Sequence, residues 1–514
     1  TLVLVDGIAV SDPQTGHHNM NLPLGINDIQ SIEILKGQGS SVYGANAFSG
    51  VINIITKLPA KDGIHASAYG GTFGSFGLSA SVSKLFILKA GTEGNRDAVL
   101  SSRLSFNRNG SEGYIANTDY RNNSLFVKTV LEEGERTYSL SFAAIDKKFG
   151  ANSFYTPVYK EQYEEVKTFL TILKTEFSIG KTDFNINSFY RHNADEYFLI
   201  RSNPEFFHNS HKSNSYGIEA SSQVAFSFGK FLAGAGFRND EMKSSNLGER
   251  TRESGGAFFE FRSEPFRNLY IDVSGYAHKY AEIGWKFWPS AGISWNYSEN
   301  LRVFASFGKA FRIPSFTELY YVSRTSLGDS ALKSEESVNY EAGINASAGI
   351  LSCEATYFHK KGKNLIDWVK LREETIFRAM NISQININGI ELGLYAGSMN
   401  LGFAEIKKIG AALSIIDVGR STAEYSARDL SENVKNSATG TIVLGFGDKL
   451  ENSWIVSYEN RNYYNDRLII DTKLSYFAGN VKLYLSASNL GNKIYEDFSG
   501  LPLPGRWIRA GIEI

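Results

Sequence analysis

The sequence predicts an all-β transmembrane barrel of about 22 antiparallel strands, with an N-terminal α+β plug domain filling the lumen. Three observations predict it. From Ile64 onward, segments of roughly 9–14 residues place apolar and polar side chains on opposite faces almost to the end of the chain. Their connections alternate between very short and mostly long. Before Lys57, a small strand–turn–strand unit of different texture supplies a body to close the wide lumen.

Composition bounds the reading. The 514 residues carry 53 basic and 54 acidic side chains, a formal charge of −1, so no global field favours nucleic acid. Mean hydropathy is −0.23, and no run of about 18 apolar residues exists to form a transmembrane helix. A barrel escapes that criterion, because lipid-facing and lumen-facing residues average out along each strand. Aromatic residues make up 13% of the chain, which fits interfacial girdles around a barrel. The one cysteine, Cys353, lies in the strand-like LSCEATYFH and reads as a packed thiol.

Taken in order, the chain opens with two plug strands. Ile32 and Ile34 alternate with Ser31 and Glu33, as in a half-buried strand. Gly37 and Gly39 break the ladder, and small residues around Ala45 suit a turn or one-turn helix. Val51–Thr56 reads as a β-branched strand. The boundary is expected near residue 60, with 1–60 as the C-terminal part of the plug and 61–514 as the barrel.

In the barrel, Ala98, Leu100, Leu104 and Phe106 oppose Ser101, Arg103, Ser105 and Asn107. Val338, Tyr340, Ala342 and Ile344 likewise oppose Asn339, Glu341, Gly343 and Asn345. From the fourth strand onward, the short connections are Glu132–Glu135, Ser178–Lys181, Phe228–Lys230, Ser298–Asn300, Ala348–Gly349, Gly397–Asn400 and Gly479–Asn480. The long ones include Gly110–Arg121, Lys147–Glu165, Asn193–Ser213, Asp240–Glu253, Ala310–Ser334, Gly362–Ile385 and Asp417–Lys435. Sorting by parity implies different environments at the two ends, short turns inside and long loops outside.

The stretch IQSIEILKGQGSSVYGANAFSGVINIITK (Ile29–Lys57), with the upstream VLVDGI (Val3–Ile8), closely resembles the plug domain of TonB-dependent outer-membrane receptors. GKAFRIPSFTELYY (Gly308–Tyr321) resembles that family's FRAPSF-type segment, and LGDSALKSEESVNYEAGI (Leu327–Ile344) is similar to its NPxLKPE-type segment. NINGIELGL (Asn386–Leu394) and NLGNKIYED (Asn489–Asp497) are similar to late-barrel phrases. The resemblance implies active import of a scarce metal chelate, an iron–siderophore or a cobalamin-type corrinoid, across the outer membrane of a diderm bacterium. It implies as partners the TonB–ExbB–ExbD complex, outer-membrane lipid, the chelate itself and, as an open alternative, a surface lipoprotein; no nucleic acid is expected. No cofactor is expected; iron or cobalt would travel within the ligand.

Two departures accompany the resemblance. Haem importers of the family carry a histidine between the first two barrel segments, whereas none lies between Pro314 and Leu332. Family barrels usually end in Phe or Trp, and this chain ends in Ile514. A signal peptide, an early part of the plug and a TonB box are expected upstream of Thr1. A passive plugged porin, a surface-binding outer-membrane protein and a haem or other metal-chelate receptor stand as alternatives.

Candidate ligand contacts follow from residue chemistry and from the resemblance. The turn-rich loop Val10–Leu24 corresponds to the plug loop that family members raise toward the outer mouth. Its His17, His18, Asn19 and Met20 offer neutral nitrogen and soft sulfur. Tyr43 and Asn46 lie on a second apical turn. Among outer loops, Phe154, Tyr155, Tyr197, Arg201, Phe206 and Phe207 combine aromatic faces with a polar group, which suits a large, partly apolar ligand. A loop hydrogen-bonded to the wall and an interfacial aromatic belt are the competing structural explanations. Arg312 is expected to pair with carboxylates, since a buried lone charge is costly. Asp6, Asp12, Asn19 and Asp28 match no calcium-loop spacing. The eight histidines are scattered, no catalytic motif appears, and the chain is not expected to be an enzyme.

Overall fold

A computed structural model describes the chain except residues 38, 90–96, 157, 324, 372–374, 421–424, 428–433, 463 and 499–500. The plug sheet comprises β1 (Leu2–Val5), β2 (Ile8–Ala9), β3 (Ile29–Lys36) and β4 (Gly50–Thr56), in the order β2-β1-β4-β3. β1 and β2 form a hairpin about Asp6 and Gly7, both with positive φ (49° and 86°), the dipeptide that such two-residue turns favour. β1 then runs parallel to β4, and β3 antiparallel to it. The small residues around Ala45 follow a one-turn helix, α1 (Ser40–Tyr43), as expected. Gly50 must be glycine: a Cβ there would stand 2.5 Å from the Leu35 carbonyl oxygen.

β3 departs from the half-buried strand expected of it. It is the edge of the sheet, bonded only to β4, and Ile32 and Ile34 are exposed among the described residues. Alternation revealed a strand but could not reveal whether a neighbour covers its face.

Around the plug, 22 long antiparallel strands close into a barrel. The first (Gly63–Gly71) pairs with the last (Trp507–Glu513) from Ser67↔Glu513 to Gly71↔Arg509, so no barrel edge is left open. Hydrophobic and polar residues sort as a membrane requires. On the strand Ala98–Ser111, Leu104 and Phe106 are 46% and 45% exposed on the outer face. Arg103, Ser105 and Asn107 are buried on the inner face, against the plug. Cys353 is a free, half-buried thiol on the strand Leu351–Leu371.

The parity of the connections holds, but their lengths do not. The short one expected at Gly397–Asn400 extends to residue 404. The expected loop Asn193–Ser213 shrinks to residues 199–207, because its flanks continue the ladder from Asn193↔Ser213 to Phe198↔His208. Asp240–Glu253 shrinks to residues 245–247 in the same way. Strands also occupy most of Gly362–Ile385, running to Leu371 and resuming at Phe377. Much of Asp417–Lys435 lies outside the described residues. The physical reason is that polar strand ends have lost the lipid-facing apolar residues while keeping backbone pairing, which needs no particular side chain.

The inner wall is not uniformly polar either. Phe126, Ala143, Leu170 and Ile172 face inward and pack with Val3, Val5, Ile8, Val10 and Ile54 of the plug. This seat lies beside charged anchors. Lys128 reaches Asp6 (2.9 Å) and Thr56 (2.8 Å), while Asp28 receives Ser105 (2.5 Å), Asn107 (3.2 Å) and Arg103 (3.3 Å).

The orientation makes a direct expectation. Single cysteines at Lys160 or Asn203, exposed on the long-loop side, should react with a membrane-impermeant maleimide on intact cells. Cysteines at Gly180 or Asn300, in the short turns, should react only after the envelope is opened. Reversed labelling would invert the barrel.

Candidate ligand-binding site

The loop between β2 and β3 is pinned by the wall at its base. Arg238 donates to the carbonyls of Ala9 (3.1 Å) and Ser11 (2.8 Å). Asp12, with a fully buried side chain, receives Arg191 at 2.6 Å and Ser213 at 3.3 Å. Burial alone would raise the Asp12 carboxyl; the Arg191 charge, then His18 and the Arg191 hydrogen bond, outweigh it and hold the group below the usual carboxylate range. Within the loop, Asn19 accepts from the Asp12 amide at 2.8 Å, and Thr15 caps a one-turn 3-10 helix at Gly16–Met20.

The two histidines of that turn part company. His18 is 4% exposed, and its Nε2 lies 3.5 Å from Asp195 on the wall. Its Nδ1 meets the Asn21 amide nitrogen at 2.9 Å. Burial would depress the imidazole, but the hydrogen bond and charge of Asp195, followed by Asp12 and Glu164, raise it to about 9. In its protonated form the ring is a cationic anchor of the loop to Asp195, a state in which the Asn21 amide must turn its oxygen toward Nδ1. His17 is exposed.

Around His17 the structure assembles residues distant in sequence. Its ring meets Phe154 at 5.7 Å and Tyr155 at 6.2 Å, both edge-on. Tyr155 in turn meets Phe154 at 4.9 Å and Tyr197 at 5.0 Å, again edge-on. The Tyr155 hydroxyl donates to the buried Glu164 carboxylate; burial and that negative charge push the phenol well above its ordinary range. The result is a partly exposed patch, one imidazole and three aromatic rings, standing on a buried acid–base network. Its chemistry is recognition by apolar faces with a few polar groups.

The other candidates lie elsewhere. Asn19, Tyr43 and Asn46, from both plug loops, line one cavity of about 540 Å³ between plug and wall. Burial, then the charges of Glu33 and Glu260, raises the Tyr43 phenol above its usual value. Asn46 holds a left-handed φ of 71° and bonds the wall on both sides, its amide to the Phe311 carbonyl (2.9 Å) and its Oδ1 to the Ile313 amide (3.3 Å). Met20 is 63% exposed. Arg201 is engaged by Asp119 at 2.7 and 3.1 Å and stacks over Tyr163. Phe206 and Phe207 are exposed on a separate outer turn, with Phe206 near Tyr159.

Arg312 is paired as expected, with Glu335 (2.6 and 2.7 Å) and Glu318 (2.9 and 3.0 Å). Asp6, Asp12 and Asp28 each serve a different barrel cation and do not converge. Arg191 and Arg238, which secure the apical loop, went unnoticed in the sequence, because an inward arginine on a polar strand face carries no distinguishing spacing. A capping box, Ser315-x-x-Glu318, heads a short helix, α2 (Phe316–Tyr320), with both reciprocal capping bonds formed.

Comparison with known proteins agrees with this architecture. The TonB dependent receptor-like, beta-barrel family matches residues 58–490, and the TonB-dependent Receptor Plug Domain family matches residues 1–51. The chain is 21% identical over 467 residues to a Vitamin B12 transporter BtuB of Photobacterium profundum, covering 84% of this chain and 71% of that protein. To a BtuB of Vibrio vulnificus it is 22% identical over 401 residues, covering 71% and 59%. Among solved structures, the siderophore receptor PirA from Pseudomonas aeruginosa superimposes with a TM-score of 0.78 at 17% identity, covering 100% of this chain and 90% of that one. The FrpB iron transporter from Neisseria meningitidis gives 0.79 at 17% identity, covering 100% and 91%. Such identities carry the fold alone. The family matches, spanning plug and barrel together, do more: the chain belongs to the TonB-dependent receptors, a family of transporters and receptors rather than enzymes.

Proposed function

We propose that this chain is an outer-membrane receptor that imports a metal chelate with energy delivered through TonB. The observation that carries this reading is the conjunction of the plug and barrel family matches with an aromatic patch at the plug apex, where Phe154, Tyr155 and Tyr197 gather around His17. The patch suits a ligand with apolar surface and a few acceptors, as siderophores and corrinoids have. BtuB relatives transport vitamin B12, and the structural neighbours include siderophore and iron receptors. An iron–siderophore or a cobalamin-type corrinoid is the substrate class, and TonB–ExbB–ExbD, lipid and the chelate are the partners. The chain performs no covalent chemistry and needs no resident cofactor.

The test is uptake in a diderm host stripped of its own receptors. Radiolabelled cyanocobalamin and a panel of ferric catecholate, hydroxamate and carboxylate chelates should reveal one saturable substrate class. Its uptake should vanish, with surface binding kept, when the host's tonB is deleted. Uptake that survives that deletion would make the chain a passive pore, and no binding across the panel would remove the chelate assignment.

The histidines give a sharper expectation. His17→Ala should weaken binding of the chelate so identified by roughly tenfold or less, the scale of one hydrogen bond or ring contact. His18→Ala should instead loosen the loop, read as faster protease cleavage within residues 10–24. Equal effects of the two on affinity and on cleavage would contradict the difference in their burial.

A further inference from the structure

The segment Phe311–Thr317 touches both apical loops of the plug, and it does so through main-chain groups. The Asn46 amide donates to the Phe311 carbonyl at 2.9 Å, and the Ile313 amide donates to Asn46 Oδ1 at 3.3 Å. The Phe311 amide lies 3.4 Å from the Ser40 hydroxyl. Three residues later, Phe316 and Thr317 donate their amides to the carbonyls of Pro13 and Gln14, each at 3.0 Å. One short stretch of barrel therefore holds the turn after α1 at one end and the histidine-bearing loop at the other.

The stretch is built to behave as one piece. Phe311 and Phe316 are both fully buried. Phe311 sits in a cluster with Trp288 and Tyr280, against which Ala45 of the plug packs. Phe316 sits in another with Met242, Leu247 and Leu319. Between these pins the chain carries Pro314, which has no amide to lose and a restricted φ. Arg312 then binds two carboxylates at once. Glu335 also accepts the Ile366 amide (2.8 Å), and Glu318 also accepts the Ser315 amide (2.7 Å) to cap α2. Four elements meet through Arg312 and its two carboxylates: its own strand, the strand Glu335–Ala348, the strand Leu351–Leu371 through Glu335, and the helix that opens the outer connection at 313–334.

We propose that Phe311–Thr317 is a strap by which the barrel holds both apical plug loops together, and that Arg312 is its positioning residue. A displacement of the outer connection would then reach His17's loop and the Tyr43–Asn46 turn at the same time. This purpose rests on the import reading; the mechanical coupling does not, and it is tested without ligand.

The experiment is amide hydrogen exchange on the full chain folded in detergent. In Arg312→Gln, exchange at Asn46, Ile313, Phe316 and Thr317 should rise together by tenfold or more. The Lys57 amide, which donates to the Asp28 carbonyl at 2.8 Å on a separate anchor, should keep its rate. Arg312→Lys keeps the charge but not the fork, so it should restore protection only in part. Asn46→Ala, made in the plug and not in the barrel, should loosen Phe316 and Thr317 as well. That variant carries the test if Arg312→Gln fails to form a heat-modifiable barrel. Loosening of one loop alone, or a rise that includes Lys57, would overturn the strap. Loss of chelate uptake screening with intact coupled exchange would instead fault the import reading.

Discussion

Replacing Arg191 by Met should release the apical loop without dismantling the barrel. The substitution strands the Asp12 carboxylate, whose side chain is fully buried and whose shortest partner is Arg191 at 2.6 Å. Breaking a buried pair from one side costs about 3–5 kcal/mol, because the remaining charge keeps its desolvation penalty and loses its compensation. Much of that cost should appear as local opening, since the loop can swing Asp12 into water while the strand bearing Arg191 stays paired on both sides. Amides of residues 10–24 should therefore exchange about a hundred-fold faster or more, with barrel amides unchanged. The double replacement Arg191→Met with Asp12→Leu should recover most of the protection, since two apolar groups leave no orphaned charge. Unchanged exchange in Arg191→Met would mean that Asp12 already finds water, and the anchor would carry no weight.

The second large effect is a pH dependence centred on His18. Its folded-state imidazole, at about 9, stands above the ordinary value of 6.5. A group whose pKa is raised by folding contributes stability that is complete below the unfolded value and disappears as pH rises through the folded one. The loop should thus be most firmly held below pH 6.5 and should weaken progressively between pH 6.5 and 9. The whole contribution is on the order of 3 kcal/mol. Protease cleavage within residues 10–24 should accelerate over that window in the wild type. His18→Gln should flatten the profile, with Asp12, Asp195, Glu164 and His211 still facing the position. Cleavage that slows as pH rises would reverse the sign and remove His18 as a cationic anchor.

The two predictions share a cause. The apical loop carries few apolar contacts of its own beyond Val10, Leu22 and Leu24, which join the plug–wall cluster, so charged and main-chain hydrogen bonds set its position. An element held by a few titratable bonds can be released by binding energy or by force, whereas a packed strand cannot. Candidate contacts on the exposed side, His17 and its three rings, thus sit above anchors that are individually removable.

How much of this was legible before the fold was known follows from the range of each signal. Alternation is local, so the face assignments of Leu104 and Phe106 against Arg103 and Asn107 were readable from the strand alone. The parity of the turns was readable for the same reason: Gly134 and Gly180, at φ of 61° and 62°, mark reversals that need only their neighbours. The plug was readable because its glycine-punctuated wording is itself short-range. Loop lengths were not, since pairing such as Phe198↔His208 is a bond between backbones that side-chain pattern does not announce.

The sequence by itself determined a barrel, because a two-residue period and tight turns are written into consecutive residues, and its resemblance to a known family announced the plug. It named His17 and His18 together on the plug loop, and Tyr155 and Tyr197 on two separate outer loops, but could neither divide the pair nor join the rings to it. Only the tertiary structure decided that His18 turns inward to Asp195, 177 positions along the numbering, while His17 turns out to Phe154 and Tyr155. It alone decided that Arg191 and Arg238 reach the loop and that Arg312 joins Glu318 to Glu335 beside the main chain that bonds both plug turns. The physical reason is that closing a barrel brings distant strands face to face around the plug, and which inward charge meets which loop depends on strand register and stagger, quantities no local stretch of residues contains.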